Sequence, residues 1–234
     1  MLCYHLGVPL HSQRGRFITF EGLDGCGKST QMEKLAEALR KRGLAVVTTR
    51  EPGGTPTAEK IRGLLLNSST DGLAPRAELS LMFAARAQHI EEVIQPALAE
   101  GRIVLCDRFT DSTEAYQGGG RKLGSEPVLE LHRILCGNLQ PDLTILMDSD
   151  VAASVERARR RNKRRGTGHG RQSHENRFEQ ENRAFFGRVH NAYLAIAGRE
   201  PQRVALVDAR GTPEETHQQI VEIVRRRLRL GARV

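Results

Sequence analysis

The sequence predicts an α/β fold: a doubly wound parallel sheet of five strands with helices on both faces. Three observations predict it. Short apolar runs recur along the chain with little polar alternation inside them, the pattern of strands buried on both sides. Helical patterns separate one run from the next, as the crossovers of a parallel sheet require. A Gly-rich turn, Gly22 to Gly27, joins the first run to the first helical stretch.

The elements follow in order. Phe17-Ile18-Thr19-Phe20 is the first strand, and Gln31 to Arg42 has helical composition. Ala45 to Thr49 is the second strand, rich in β-branched residues. Thr57 to Leu66 and Arg76 to Glu100 read as helices. The latter should end or kink near Pro96, where a helix loses a donor and meets a ring clash. Ile103 to Cys106 and Leu143 to Met147 are continuous apolar strands. Val204 to Val207 is the fifth, and Thr212 to Leu230 closes the chain as a helix with Pro213 in its first turn.

The chain has 234 residues, 38% hydrophobic and 27% charged. That composition excludes wholesale disorder and collagen-like repeats and fits one domain of ordinary size. We assign residues 16–231 to this domain and residues 1–15 to a disordered N-terminal extension. Met1 to Gly15 holds His5 and Pro9 and lacks the apolar stretch of a secretory signal. No apolar run approaches the ~20 residues a membrane-spanning helix needs. Cys3, Cys26, Cys106 and Cys136 lie far apart with no CxxC pair, which argues against a zinc site or disulfide framework and for a reducing cytoplasm. The net charge of +8 points to an anionic partner without naming it.

Gly22-Leu23-Asp24-Gly25-Cys26-Gly27-Lys28-Ser29, with Thr30 behind it, satisfies G-x-x-x-x-G-K-[ST]. It follows a strand and opens a helix, the context that makes this a nucleotide-binding loop of the P-loop NTPase type. Backbone N–H groups and the positive helix end would cradle a triphosphate. Lys28 would reach the β- and γ-phosphates, and the Ser29 hydroxyl would ligate Mg²⁺. Cys26 reads as a small side chain filling a tight turn, with no resolving cysteine nearby. Asp107 closes the third apolar run at the position that holds Mg²⁺ beside such a loop, and Arg108 projects from the same sheet edge. A guanine-reading Asn-Lys-x-Asp is missing: the sole Asn-Lys, Asn162-Lys163, is followed by Arg164-Arg165. A small kinase acting on a small acceptor is the class that remains. Its alternatives are another small P-loop nucleoside or nucleotide kinase and a nucleic-acid-binding, ATPase-like module.

Several stretches resemble the thymidylate kinase family. They are Phe20-Glu21-Gly22-Leu23-Asp24-Gly25, Thr49-Arg50-Glu51-Pro52-Gly53-Gly54-Thr55, Arg86-Ala87-Gln88-His89, Asp107-Arg108-Phe109 through Ser112-Thr113-Glu114-Ala115-Tyr116-Gln117-Gly118, Pro141-Asp142-Leu143-Thr144 and Arg177-Phe178-Glu179. The resemblance implies ATP as donor, dTMP as acceptor, dTDP and ADP as products, Mg²⁺ as the metal and a homodimer without membrane or nucleic-acid partners. It further implies that Arg108 grips the acceptor phosphate with its guanidinium fork. Glu51 and the Gly53-Gly54 turn would bring backbone to the same phosphate. Arg86 would donate to a thymine carbonyl, Thr113 would face the base, and Gln117 belongs to the same substrate-binding set. Tyr116 would lie under the sugar and exclude a 2′-OH, with Asp24 near the 3′-OH and the metal. Two positions depart from the family. Met82, with Phe83 beside it, stands where an aromatic usually stacks on the base, and a thioether can take that place. Asn176 replaces an Asp, leaving Glu179 as the acid of that segment.

The basic residues are unevenly spread. Residues 156–177 carry nine Lys/Arg and two Glu, and residues 225–233 carry five Arg and no acid, which leaves the rest of the chain at net −4. Residues 159–174 read as an Arg-rich lid, a loop between helices with Gly166, Gly168 and Gly170 permitting closure over ATP. Members of the family that this chain resembles carry the phosphate-bridging arginine either in the phosphate loop or in the lid. Lys28 is the one basic residue of this loop, so the resemblance implies that the lid carries it. Arg157, Arg159 and Arg161 continue a helix, Lys163 to Arg171 extend beyond it, and Arg161 is the catalytic candidate. The competing readings are a nucleic-acid strip and a solvated charge run; the strip lacks the interleaved aromatics that stack bases. Arg225 to Arg229 read as a solvated helix face.

Overall fold

The computed structural model describes residues 14–67, 72–166 and 177–228. Its strands are β1 (Phe17–Glu21), β2 (Val46–Arg50), β3 (Ile103–Asp107), β4 (Leu143–Asp148) and β5 (Val204–Asp208). They form one parallel sheet in the order β2-β3-β1-β4-β5. The register aligns Phe20 with Asp107 and Ile145, and Arg50 with Asp107. Strand ends that bear polar residues therefore gather at one edge, where open α/β sheets bind ligands.

Alternation along β1 shows how the core divides. Ile18 and Phe20 pack with Leu35 and Leu39 of α1 (Lys28–Lys41) and with Ile220 and Val224 of the closing helix, Pro213–Leu228. Phe17 faces the opposite side, against Phe83 and Ile94. That second face is covered by α2 (Pro56–Leu66), α3 (Pro75–His89) and α4 (Gln95–Ala99), and by α5 (Thr110–Thr113) and α6 (Ser125–Leu135). The chain completes it with α7 (Val151–Gly166) and α8 (Arg183–Arg199), so the closing helix is α9. Burying a side chain such as Phe17 or Leu35 contributes about 1.5–3 kcal/mol.

Several boundaries differ from the sequence reading. Helix α1 begins at Lys28, not Gln31, because Gly27 turns the chain in the left-handed region (φ 100°). The helix expected to end or kink near Pro96 does not end there but continues through a π turn, Ile90–Ile94, in which the Gln95 N–H reaches back to Ile90 O. The wider turn opens the ladder just before the residue that cannot donate. Residues 110–120, for which the sequence suggests no helix, are helical, and they pack on α8, the helix that follows the lid. A π turn, Glu114–Gly120, follows α5, and a Cβ on Gly120 would meet the Phe185 ring at 2.6 Å. Three glycines that weaken a lone helix here admit a neighbour.

The first half of the expected lid loop is helix. Residues 159–166 complete α7, whose Asp150 Oδ1 accepts from Ala153 N at 2.7 Å and whose Glu156 and Arg160 pair along one face. The remainder of the expected lid, 167–174, lies outside the described residues, as do Asn176, residues 1–13 and those beyond Leu228, up to which the closing helix is described. Arg14 and Gly15, counted with the extension by sequence, are fastened to the domain through Asp142 and Leu98 O. No helix among the described residues is long and apolar enough to cross a membrane.

Candidate active site

Beyond β1 the chain loops through Gly22 to Gly27 and enters α1, whose N-terminal N–H groups face a cavity of about 390 Å³. Gly25, Gly27, Lys28, Ser29 and Thr30 line it together with Asp24, Asp107, Arg108 and Arg161. Gly22, Leu23 and Cys26 lie off its walls. Leu23 and Cys26 are buried in the cores on either side of the sheet, so Cys26 fills the turn as a small apolar side chain. The Lys28 ammonium rests on the carbonyls of Gly22 (3.0 Å) and Leu23 (2.9 Å). Gly25 is where α7 meets the loop: a Cβ there would stand 2.3 Å from Ser154 O.

The predicted metal ligands are adjacent. Ser29 Oγ donates to Asp107 Oδ2 at 2.9 Å, and Asp107 Oδ1 is buried without a partner. Oxygen donors of this kind fit Mg²⁺, which takes one or two protein ligands and completes its shell with phosphate and water.

A second cavity, about 100 Å³, adjoins the first, and Asp24, Glu51, Arg62 and Arg108 line both. Arg108 adopts φ 74°, a conformation that costs a non-glycine residue roughly 1–3 kcal/mol and persists where its surroundings fix it. Its NH1 donates to Ser112 Oγ (2.8 Å) and Tyr193 OH (3.0 Å), and its NH2 to Asp24 Oδ1 (3.0 Å) and Tyr116 OH (3.1 Å). The Tyr116 ring lies 4.9 Å from the guanidinium. Burial works against the Asp24 charge, but Arg108 and Lys28 outweigh it and hold the carboxyl well below the usual range. Glu21 lies beneath, accepting from Phe109 N (2.7 Å), Ser112 and Tyr193 (3.2 Å). Burial, reinforced by Asp111, pushes the Glu21 carboxyl up to about 7.

The far end of the smaller cavity is built around Arg86, which is 2% exposed. Its Nε donates to Glu51 Oε2 at 2.7 Å and its NH2 to Thr113 Oγ1 at 2.8 Å. Phe83 and Phe109 flank it at 4.8 and 5.2 Å. Its NH1 is buried and unpartnered. Glu51 also bonds His89 Nδ1 at 2.9 Å, so its side chain orients Arg86 as well as lining the cavities. Met82 lines the pocket while Phe83 is wholly buried under Arg86. Gln117 gives its Nε2 to Glu78 Oε1 at 2.7 Å, and its Oε1 is buried without a partner. Gly53 lies off both cavities, packed against Glu59.

The lid arginines differ in employment. Arg157 donates to Gly25 O (2.8 Å) and Arg159 to Glu181 O (3.0 Å), whereas Arg161 lines the larger cavity and helps hold Asp24 ionised. The side chains of residues 163–166 and of Glu179 lie outside the described residues. Sequence reasoning missed Arg50, Arg62, Leu66 and Phe178 as cavity walls. Arg50 and Phe178 sit inside stretches already singled out; Arg62 and Leu66 read as ordinary residues of α2.

The family profile for thymidylate kinase matches residues 20–220. A thymidylate kinase of Geobacter sulfurreducens is 47% identical over 214 residues, covering 92% of this chain and 98% of the relative. One of Pseudomonas entomophila is 53% identical over 195 residues, 83% of this chain and 88% of the relative. The crystal structure of thymidylate kinase from Ehrlichia chaffeensis superposes with a TM-score of 0.71 at 30% identity, over 90% of this chain and 99% of that one. With a profile spanning the sheet from β1 to α9 and relatives near half identity over most of its length, the chain belongs to the thymidylate kinase family.

Proposed function

We propose that the larger cavity holds the ATP phosphates and the smaller one dTMP, so that the enzyme's phosphoryl transfer, giving dTDP and ADP, occurs where they meet. The observation that carries this is that Asp24 and Arg108 line both cavities. Phosphoryl transfer requires positioning and charge neutralisation more than covalent chemistry. Arg108 grips the dTMP phosphate, and Lys28 leaves its loop carbonyls for the β- and γ-phosphates. Arg161 approaches from α7 to neutralise charge shared between donor and acceptor. Ser29 and Asp107 would hold Mg²⁺, which supplies charge neutralisation on the ATP phosphates. No general base is needed, since a phosphate monoester is already ionised near neutral pH. Tyr116 closes the sugar end and leaves no space for a 2′-OH.

The base reading rests on two unspent atoms. Arg86 NH1 is a donor and Gln117 Oε1 an acceptor, both buried, unpartnered and on cavity-lining residues. Thymine offers the complement, a carbonyl oxygen at C4 and an N–H at N3. Cytosine offers the inverse and leaves both unpaired, which sites of this kind reject strongly. Met82 supplies the apolar wall. ADP release coupled to a reporter, measured across dTMP, dUMP, dCMP, AMP and GMP, tests the reading. Best turnover with dTMP is expected, and faster turnover of dCMP or a purine nucleotide would overturn it.

Two coarser matters join the proposal. Leu64 of α2 and Leu129, Ile134 and Leu135 of α6 leave apolar side chains at the surface of helices that both pack on α3. This supports a homodimer, and light scattering should give twice the 26.0 kDa of the chain. Cys26, Cys106 and Cys136 are free thiols, which supports a reducing, cytoplasmic location.

A further inference from the structure

We infer that Glu78, a carboxylate of α3 outside the reacting groups, sets the base specificity by fixing which way round the Gln117 amide sits. The inference rests on the reading above that the smaller cavity receives dTMP.

An amide side chain carries one acceptor and one double donor, and a half-turn exchanges them. Its orientation is decided by its fixed neighbour. Glu78 is wholly buried, and the hydrogen-bond partners of its carboxylate among the described residues are all donors. Gln117 Nε2 reaches Oε1 at 2.7 Å, Arg121 Nε lies 3.2 and 3.3 Å from the two oxygens, and Arg177 NH1 reaches Oε2 at 2.7 Å. A carboxylate so held can accept and has nothing to donate. Turning the amide would press two oxygen lone pairs together at the same short distance.

The two guanidiniums hold the acid in place from behind. Arg121 also pairs with Glu181, and Arg177 Nε donates to Leu65 O at 2.6 Å. Glu78 therefore cannot swing to follow a flipped amide. The consequence is a buried, unpartnered Oε1 on Gln117, a residue that lines the smaller cavity. Facing that oxygen, a base with N–H at N3 gains a hydrogen bond, and cytosine sets its own lone pair against it. Gln at position 78 could donate to Gln117 and let the amide turn, so that an N–H meets cytosine N3.

The test compares kcat/KM for dTMP and dCMP in the native enzyme, Glu78→Gln, Gln117→Leu and the double variant. Glu78→Gln should lower the dTMP:dCMP ratio about ten- to a hundredfold, the effect of removing one unpaired buried polar group from the discrimination. Gln117→Leu should lower the ratio too, and adding Glu78→Gln to it should change the ratio no further. A purely structural role for Glu78 would slow both nucleotides alike and leave the ratio intact. That result, alongside a collapsed ratio in Gln117→Leu, would overturn the inference while the base reading stands. An unchanged ratio in Gln117→Leu would overturn both, and no ADP release from the native enzyme with dTMP would remove the reading beneath them. If Glu78→Gln does not fold, neutron diffraction from the deuterated native enzyme with dTMP decides: deuterium on the Gln117 atom facing Glu78 supports the inference, and a bare oxygen there overturns it.

Discussion

The two cavities share Asp24 and Arg108 yet are built in opposite ways. Half of the residues lining the phosphate cavity form one contiguous stretch, in which glycine backbone and a helix terminus face the ligand. The acceptor cavity is made of side chains from six separate segments, and acids fix the groups that read the acceptor. Glu51 orients Arg86, Asp24 and Glu21 flank Arg108 and its hydroxyl partners, and Glu78 holds Gln117. A phosphate is recognised by charge, which a loop of N–H groups supplies in many orientations. A base is recognised by pattern, which requires that donors and acceptors be held still.

Exchanging the arginines at the two ends of the acceptor cavity breaks this comparison most sharply. Arg108→Ala should lower kcat/KM for dTMP by about 10²–10³, the scale of losing a preorganised charge donor, with ATP binding held within a few-fold. Arg86→Ala should act on stability as well. It leaves Glu51, 3% exposed, with His89 as its one partner shown here, and breaking a buried pair costs about 3–5 kcal/mol. Urea unfolding of both variants checks the contrast; equal stability would mean that Glu51 does not depend on Arg86.

Next in size is the lid. Arg161→Ala should reduce kcat about 10²-fold at saturating substrates, and Arg159→Ala should stay within about twofold, because its guanidinium faces Glu181 O. Equal losses would place the neutralising charge elsewhere on α7.

A pH experiment separates the two acids at the end of β1. Glu21 has a carboxyl near 7 in the fold against an ordinary value near 4.5. Stability from keeping it neutral is complete below the unfolded value and is lost as pH rises through about 7. The native enzyme should therefore lose up to about 3 kcal/mol over that window relative to Glu21→Gln. Asp24 has the opposite sign: its lowered folded value contributes stability above the unfolded carboxylate range, lost as pH falls. Urea midpoints of native, Glu21→Gln and Asp24→Asn enzymes, followed from strongly acidic to mildly basic pH, should show the Asp24 contribution lost as pH falls below about 4 and the Glu21 contribution lost as pH rises toward about 7. Parallel curves would contradict the assignment.

The contiguous half of the site was legible in the sequence and the scattered half was not. The inner strands β1, β3 and β4 are legible because both their faces are buried, the edge strands β2 and β5 as β-branched and apolar runs although each is partly exposed, and the phosphate loop because its residues are neighbours in the chain. The helix at 114–120 is hidden because three glycines speak against a helix until α8 is known to press on Gly119 and Gly120, and Gly124 on Gly118. Arg62 was hidden because a helix surface gives no hint that the β2–α2 connection folds over it, with Pro52 O 2.9 Å from its NH1. Glu78 was passed over for the same reason. Its partners, Gln117, Arg121 and Arg177, lie 39, 43 and 99 residues away, and only tertiary packing makes them a set.

Met82 gives the smallest and most discriminating prediction, because it belongs to the base end but carries none of its pattern. It stands on the cavity wall, and Phe83 beside it is sealed under Arg86. Met82→Leu keeps the volume, and such exchanges cost under about 1.5 kcal/mol, so KM for dTMP should move only a few-fold. The dTMP:dCMP ratio should not move, since an apolar wall attracts every pyrimidine alike. If the ratio did shift with Met82→Leu, shape rather than hydrogen-bond pattern would be choosing the base. The acids behind the pocket would then matter for stability alone.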